Sequence, residues 1–248
     1  MPEIRRVRRG PKRKREEEHA RTAQAPLLAG AADRARALAL TPVSRETLER
    51  LERFVALLLA WQRRTNLIAP STVPLLWTRH IADSLQLLEL APNAREWIDL
   101  GSGGGFPGLV IASALAGTPG ARVHLIESHG KKAAFLREAQ RLTATSASVH
   151  AMRIEEFVTT YDGPVDVITA RAVAPLKSLF HQTFPLLGKS GAIALFPKGQ
   201  HAELELREAC ESPAVQAWGM DATLVGSRTD PAGRIVVIRN VERCGTTP

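Results

Sequence analysis

The segment from Glu96 to Gly108, with the sequence EWIDLGSGGGFPG, constrains the fold of this chain more than any other. A short apolar run ends in the carboxylate Asp99, four glycines follow within five residues, and residues 109–116 are again mostly apolar. This order predicts a strand, a glycine loop and a helix, because glycine accepts positive φ angles and lets a ligand lie against bare main chain. The free N–H groups at the start of the helix favour electron-rich ligand atoms.

Two cofactors are compatible with this loop. Residues 103–108 satisfy the G-x-G-x-x-G pattern of dinucleotide-binding folds, and Glu127 lies near the acidic position that the pattern expects. Asp99 beneath the loop would repel a pyrophosphate by about 4 kcal/mol at roughly 4 Å, whereas it would attract the sulfonium and α-ammonium groups of S-adenosylmethionine. Pro107 has no N–H to offer to a phosphate. The loop therefore favours S-adenosylmethionine, and a nicotinamide dinucleotide is the alternative.

The chain has 248 residues, 44% of them apolar, which is enough for one substantial domain. No apolar run reaches the roughly 18 residues that a membrane span needs. Cys210 and Cys244 do not have the spacing of a metal site, and no other group of His and Cys has it, so we expect no metal. A cytoplasmic, reducing compartment fits this composition, and we expect no membrane association.

Nearly all of the net charge of +8 lies in the first 15 residues, which carry eight basic residues and one acid, or +7. The other 233 residues therefore sum to +1. The tail either binds RNA phosphates or is a solvated extension, and a targeting role is a third interpretation. A nearly neutral folded body with no further interface signal favours a monomer.

The residues before the glycine loop predict helices. Ser44 is a suitable N-cap for an amphipathic helix that ends near residues 64–66, and a second helical stretch is predicted over residues 74–90. Residues 1–40 show no sustained period. The predicted division is a basic, disordered extension over 1–40, an N-terminal helical segment over 41–95, a cofactor-binding domain over 96–243 and a tail over 244–248.

From Trp97 onward, strand-like and helix-like segments alternate. The predicted strands cover residues 97–100, 123–127, 148–152, 165–170, 192–196, 222–227 and 235–240. The predicted helices between them cover residues 108–116, 131–142, 155–161, 176–187 and 202–209. Alternation predicts an α/β fold with a Rossmann-like, seven-stranded, mostly parallel sheet, preceded by N-terminal helices. Residues 228–233 are too few for a crossover helix, so the last two strands are expected to form an antiparallel C-terminal hairpin.

An acid–glycine loop after the first strand and a terminal hairpin together resemble class I S-adenosylmethionine-dependent methyltransferases. Motifs in the order NLIA, RHIADSL, DLGSGGGFPG, ESxxKKxxFL, RIEE and TARA, spread between residues 66 and 172, are similar to the glucose-inhibited-division-protein-B family. The resemblance covers about residues 45–240 and implies methylation of guanine N7 in 16S ribosomal RNA, with that RNA or the 30S subunit as partner. The chain departs from the family in having Glu127 where Asp is frequent, and Pro197 before Lys198.

The resemblance also implies the site residues. The implied cofactor-binding residues are Asp99, Gly101, Gly103, Gly105, Phe106, Glu127, Ile154, Glu155 and Arg171. The implied catalytic residues are Arg171 and Lys198, and the implied contacts to RNA are Arg79, His80 and Lys198. Four of these have an ordinary structural interpretation as well: a core aromatic for Phe106, a helix N-cap for Glu127, a buried, satisfied histidine for His80 and a solvated lysine for Lys198.

The implied chemistry needs orientation more than acid–base catalysis. Guanine N7 carries an in-plane lone pair and is nucleophilic without a general base, so positioning, which is worth on the order of 7 kcal/mol in ideal cases, would do most of the work. Arg171 is expected to grip a phosphate or the cofactor carboxylate, because gripping N7 would compete with its methylation. The alternative functions are a nicotinamide-dependent oxidoreductase and a non-enzymatic RNA-binding module on the same fold.

Overall fold

A seven-stranded mixed sheet lies at the centre of the computed structural model, which describes residues 30–245. The strands are β1 (Glu96–Leu100), β2 (Arg122–Ile126), β3 (Ala147–His150), β4 (Val167–Ala170), β5 (Ile193–Lys198), β6 (Trp218–Gly226) and β7 (Arg234–Arg243). Their order across the sheet is β3-β2-β1-β4-β5-β7-β6, with the first five parallel and β7 antiparallel to both of its neighbours. The predicted α/β sheet with an antiparallel C-terminal hairpin is confirmed. The predicted basic segment 1–15 lies outside the described residues, as do residues 246–248 of the predicted tail.

Helices cover both faces of the sheet. They are α1 (residues 30–40), α2 (Arg45–Gln62), α3 (Asp83–Leu85), α4 (Leu87–Leu90), α5 (Gly108–Leu115), α6 (Gly130–Thr143), α7 (Ile154–Thr160), α8 (Leu176–Ser190), α9 (Ala202–Cys210) and α10 (Pro213–Gln216). Alternating strand residues enter two separate cores: Trp97 belongs to the core that contains residues of α2, α5 and α6, and the adjacent Ile98 belongs to the core that contains residues of α7 and α8. The strand period of two thus explains why nearly every residue of β1, β4 and β5 is buried. No helix within residues 30–245 is long and apolar enough to cross a membrane.

The N-terminal segment differs from its prediction at one boundary. Residues 30–40 form helix α1, so this part of the chain is not the disordered extension predicted over 1–40. Buried Asp33 accepts hydrogen bonds from the backbone N–H groups of Trp77 (2.8 Å) and Thr78 (3.3 Å), which ties α1 to the segment that follows α2. This tie depends on a contact 44 residues away, which no local periodicity reveals. The predicted N-cap is confirmed, since Ser44 accepts a hydrogen bond from the Thr47 N–H.

The helix predicted over residues 74–90 is divided into shorter pieces. A 3₁₀ helix covers Pro70–Leu75, a π-helical turn covers Trp77–Ala82, and α3 and α4 follow. Pro74 has no N–H for an α-helical hydrogen bond, which favours the change of helix type next to it. The widened turn contains Arg79 and His80.

Candidate functional site

One large pocket opens at the carboxyl ends of the parallel strands, with a cavity volume of about 720 Å³. Its walls come from the segments that follow the five parallel strands, from the loop after α2, from the π-helical turn and from the turn between β6 and β7. Ligands of α/β proteins bind at this edge of the sheet, and the volume is in the range of small-molecule sites. Most of the residues predicted to form a site lie at this pocket.

The glycine loop forms one wall through its backbone. Gly101 and Gly103 have φ angles of 67° and 52° and line the pocket, together with Ser102 and Gly104. A Cβ at Gly101 would lie 2.5 Å from Val173 Cγ2, so a side chain there would be strained by the positive φ and would require Val173 to move. This wall therefore presents main-chain groups to a ligand.

Asp99 supports this loop from below. Its carboxylate accepts hydrogen bonds from Gly108 N (3.1 Å) and from Thr169 Oγ1 (2.9 Å), and only 1% of the residue is exposed. Burial raises the pKa of Asp99 to about 6, against the opposing effect of these hydrogen bonds and of the Arg171 charge. Asp99 is not among the residues that line the pocket, and the structure shows its carboxylate fixing the loop through Gly108 N, so the predicted contact with the cofactor stays a prediction. The predicted contact at Gly105 is also absent from the pocket wall, because Gly105 faces Phe54 in the core.

Glu127 joins two backbone segments at the pocket wall. Its carboxylate accepts hydrogen bonds from Gly103 N (2.9 Å) and His129 N (2.7 Å), and the residue is 7% exposed. A carboxylate has about four acceptor positions, so capacity remains for two more donors from a ligand. The two interpretations of Glu127, as a ligand contact and as a support near the start of α6, are compatible in this geometry.

Part of the pocket wall is apolar, and it includes Ile126, which precedes Glu127, together with Met152 and Ile154. Ile154 is the first residue of α7, and β3 stops at His150, two residues before the end of the strand predicted over residues 148–152. The predicted neighbour Glu155 does not line the pocket, and its carboxylate accepts a hydrogen bond from Gln182 Nε2 (2.7 Å).

Arg171 is held against the π-helical turn by several hydrogen bonds. Its Nη2 donates to His80 Nδ1 (2.6 Å), and its Nη1 donates to the Arg79 carbonyl (3.0 Å) and to Asp83 Oδ2 (3.4 Å). Because a guanidinium is always a donor, His80 Nδ1 accepts and its Nε2–H donates to Thr72 Oγ1 (2.8 Å). His80 is therefore neutral. Burial, together with the charges of Arg171 and Arg79, lowers its pKa to about 3.

Phe106 stacks beneath this cluster. Its ring centroid lies 4.8 Å from that of His80 and 5.3 Å from the Arg171 guanidinium carbon, a cation–π arrangement. The same ring packs 5.3 Å from Phe54 in the core. Phe106 is thus both a core aromatic and part of the pocket wall.

The turn between β6 and β7 closes the pocket, and none of its residues is among those predicted to form a site. Asp230 Oδ2 accepts a hydrogen bond from Arg79 Nη1 (2.5 Å), and Thr229 Oγ1 donates to Asp83 Oδ1 (2.8 Å). These contacts join residues about 150 positions apart, so no local motif marks them. One signal was available, because a turn after β6 lies at the same sheet edge as the carboxyl ends of the parallel strands.

Lys198 lines the pocket but its ammonium group is engaged. Its Nζ donates to the Ala174 carbonyl (2.9 Å) and to Glu205 Oε2 (2.8 Å), and its side chain is only 10% exposed. Lys198 is therefore neither a solvated lysine nor an ammonium free to meet RNA. It fixes the segment after β4 that carries Arg171. Within residues 30–245, no group of three His, Cys, Asp or Glu side chains could hold a metal ion.

Comparisons with known proteins agree with this architecture. The family model of GidB, described as rRNA small subunit methyltransferase G, matches residues 47–228. A ribosomal RNA small subunit methyltransferase G from Bradyrhizobium sp. (strain BTAi1 / ATCC BAA-1182) is 58% identical over 213 residues, which is 86% of this chain and 93% of that protein. One from Nitrobacter hamburgensis is 55% identical over 228 residues, or 92% of this chain and 85% of that protein.

Among solved structures, an O-methyltransferase from Bacillus cereus in complex with SAH has a TM-score of 0.53 at 17% identity, covering 87% of this chain and 100% of that chain. Similarity at this level shows the fold alone, which is that of the class I S-adenosylmethionine-dependent methyltransferases. The sequence relatives go further, because their identity exceeds one half across most of both chains. The chain belongs to the GidB family of ribosomal RNA small subunit methyltransferase G, as its motifs predict.

Proposed function

We propose that this chain transfers a methyl group from S-adenosylmethionine to N7 of a guanine in 16S ribosomal RNA. The substrate is that RNA within the 30S subunit or an assembly intermediate, and the enzyme acts in the cytoplasm as a monomer. The family assignment supports rRNA methylation. The choice of N7 also has support in the chemistry of the pocket.

The observation that carries the choice of N7 is the state of the acids and histidines that line the pocket. They are His80, Asp83, Glu127, Glu205 and Asp230. Each of these five side chains already forms a hydrogen bond or an ion pair with another residue of the chain. Within residues 30–245, each acid and histidine of the pocket therefore has a partner in the chain, and the acceptor positions that remain on Glu127 are assigned to the ribose hydroxyls. Methylation of an exocyclic amine or a hydroxyl needs a proton removed, whereas the N7 lone pair needs no base.

The pocket residues fit S-adenosylmethionine. The bare backbone at Gly101 and Gly103 leaves room for the methionine part, and Glu127 has acceptor positions left for the two ribose hydroxyls. The apolar side chains of Ile126, Met152 and Ile154 suit the planar faces of an adenine ring. A pyrophosphate at the glycine loop would face the Glu127 carboxylate, which lies 2.9 Å from Gly103 N, and this like charge disfavours the nicotinamide alternative.

S-adenosylmethionine, when bound, supplies an electrophilic methyl group on a sulfonium. The protein's own residues then provide orientation and electrostatics. Asp99 and Gly108 hold the glycine loop in one conformation, and Phe106 supports the Arg171 guanidinium from one side. Orientation of this kind can contribute several kcal/mol to catalysis, with about 7 kcal/mol in ideal cases.

Arg171 connects the two parts of the pocket. Three of its five N–H donors are used by His80, the Arg79 carbonyl and Asp83, so its charge is fixed in place while capacity remains for an anionic ligand group. The carboxylate of the methionine part or an RNA phosphate would satisfy it. Arg171 thus binds and orients, and it removes no proton.

Incubation with labelled S-adenosylmethionine tests the proposal on unmodified 30S subunits and on naked 16S RNA. We expect label at N7 of guanine, detected as strand cleavage after reduction and aniline treatment of the RNA. Label on another atom would contradict the choice of N7. Binding of NAD(H) without binding of S-adenosylhomocysteine, measured by calorimetry, would contradict the cofactor, and RNA binding without any label would support the non-enzymatic alternative.

A further inference from the structure

We infer that Arg63, Arg64 and Lys131 form an RNA-binding surface at the mouth of the pocket, which we call the basic rim. This inference rests on the proposed function, because it assigns a docking surface to the RNA substrate. All three side chains are exposed. They come from two separate segments that the fold brings to the same edge of the pocket.

The first segment is the end of α2 and the loop after it. The Trp61 ring packs 5.7 Å from that of Phe135 on α6, and its Nε1 donates to Glu138 Oε2 (3.2 Å). These contacts place the end of α2 on α6. Arg63 is the C-cap of α2, so it and Arg64 lie beside α6.

The loop after α2 returns to the pocket, and Gln62 fixes its path. The Gln62 Oε1 accepts from the N–H groups of Leu67 (2.9 Å) and Ile68 (3.1 Å), and its Nε2 donates to the Ile68 carbonyl (2.7 Å). Leu67 and Ile68 line the pocket. Arg64 is three residues from Leu67, so its Cα lies within about 11 Å of a pocket-lining residue by chain length alone.

The second segment is the first turn of α6. Lys131 and Lys132 follow Gly130, and Lys132 itself lines the pocket. Lys131 precedes Phe135 by four residues, so both lie on the side of α6 that faces the end of α2. The two segments of the basic rim therefore meet at one side of the pocket mouth.

The two segments of the basic rim are themselves poor in acids, and Glu138, whose carboxylate contacts Trp61, lies just outside them. Residues 53–82 contain four arginines and no Asp or Glu, and residues 128–137 contain three basic residues and no Asp or Glu. Within residues 30–245, no ion pair neutralises Arg63, Arg64 or Lys131, whereas Arg45, for comparison, pairs with Glu49. An unpaired basic surface beside a site that must admit one nucleotide fits the phosphate backbone of the flanking RNA.

The test compares two charge-matched double variants of the full chain. Arg63→Gln with Arg64→Gln removes two charges from the basic rim. Arg141→Gln with Lys189→Gln removes two charges from the last turns of α6 and α8, at the opposite edge of the sheet. All four residues lie near helix C-termini, so effects on helix stability are matched. Lys131→Gln is a third variant that probes the other segment.

The first measurement is the affinity for naked 16S RNA as a function of KCl concentration. We expect Arg63→Gln with Arg64→Gln to weaken binding about tenfold and to reduce the slope of log K against log salt by about 1.4, the value for two lost contacts to a single strand. Lys131→Gln, which removes one charge, should reduce the salt slope by about half as much. The inference would be overturned if the basic-rim variants had the same salt slope as the Arg141→Gln, Lys189→Gln control. It would also be overturned if the control lost as much RNA affinity as they do.

The second measurement separates docking from catalysis. We expect the basic-rim variants to raise KM for RNA about tenfold while kcat and the affinity for S-adenosylhomocysteine stay within about twofold of wild type. A loss of cofactor affinity would overturn the assignment to RNA. If the wild-type chain methylates no RNA, the proposed function fails, and the salt slopes still decide the inference on the basic rim.

Discussion

The two sides of the pocket are built in different ways. The glycine-loop side comes from one continuous segment, residues 99–108, and its shape is a property of the backbone. The opposite side, which we call the clamp, is assembled from Arg79–Asp83, Arg171 and the turn after β6 by side-chain hydrogen bonds between residues 88 to 151 positions apart. The glycine-loop side should therefore lose function when an added Cβ occupies the space beside its backbone. The clamp should lose function when one of its side chains is truncated.

Gly108→Ala is the change expected to have the largest effect on the glycine-loop side. A Cβ there would lie 2.4 Å from Leu125 Cδ2 and 2.6 Å from Asp99 Oδ2, so α5 or the loop must shift. We expect a loss of stability of about 1–3 kcal/mol and a loss of S-adenosylhomocysteine affinity on the order of 100-fold, measured by urea unfolding and calorimetry. Gly199→Ala is the control, because Gly199 lines the pocket and has open space at its Cβ position. Equal effects of the two changes would refute the requirement for backbone space.

Arg171→Ala should break the clamp. The change removes the guanidinium that donates hydrogen bonds to His80 Nδ1 and Asp83 Oδ2. The loss of these bonds should lower the free energy of unfolding by about 1–3 kcal/mol. We expect methylation to fall on the order of 100-fold, with the fold retained by circular dichroism. Arg171→Lys should restore little activity, because one ammonium group cannot reproduce the planar fork. Normal turnover of Arg171→Ala would remove Arg171 from the site.

The contrast between the two sides also explains what the sequence could predict. The glycine loop, its strand and its helix follow from residues within about a dozen positions of one another, and their period and turn chemistry predict them correctly. The sheet and its hairpin follow in the same way from alternation and from the shortness of residues 228–233. These are local properties, so one sequence suffices.

Long-range contacts set the features that the sequence could not predict. Helix α1 is tied by Asp33 to a segment 44 residues away, and Lys198 is held by Glu205 and the Ala174 carbonyl, although its sequence context predicts an available ammonium group. Asp99 was correctly placed beneath the loop, but only the packing shows that its carboxylate faces Gly108 and Thr169 and not the pocket. Burial and partner choice are three-dimensional properties that pattern and spacing do not encode.

The pH dependence of stability should have opposite signs on the two sides. The pKa of His80 in the clamp is lowered from 6.5 to about 3, mainly by burial, so the unfolded chain binds a proton first and stability falls as pH drops below 6.5. The pKa of Asp99 is raised from 3.8 to about 6, also mainly by burial, so the folded chain binds a proton first and stability rises as pH drops from 7 to 5.

Urea unfolding at pH 7 and pH 5 separates these effects. His80→Gln should make the loss of stability on acidification smaller than in wild type by about 2 kcal/mol, and Asp99→Asn should make it larger by about 1 kcal/mol. Shifts in the same direction for both variants would contradict the assignment of opposite signs. Gln can still accept from Arg171, so the first variant keeps an acceptor for that guanidinium.

The Arg79–Asp230 ion pair gives the smallest expected effect and the finest test of the clamp. The two side chains are 46% and 32% exposed, so a double-mutant cycle with alanine should give a coupling in stability of only about 0.2–1 kcal/mol. The Arg228–Glu89 pair is a matched control, because it also joins the N-terminal helical segment to the turn after β6, with side chains 51% and 50% exposed, and neither residue lines the pocket.

Both pairs should contribute similarly to stability, but only the loss of Arg79 or Asp230 should raise KM for RNA, because only that pair closes the pocket. Steady-state methylation with the four single variants measures this difference. Equal changes in KM for the two pairs would mean that the turn after β6 acts through general stability, and the clamp would then be reduced to Arg171 and the partners that hold its guanidinium.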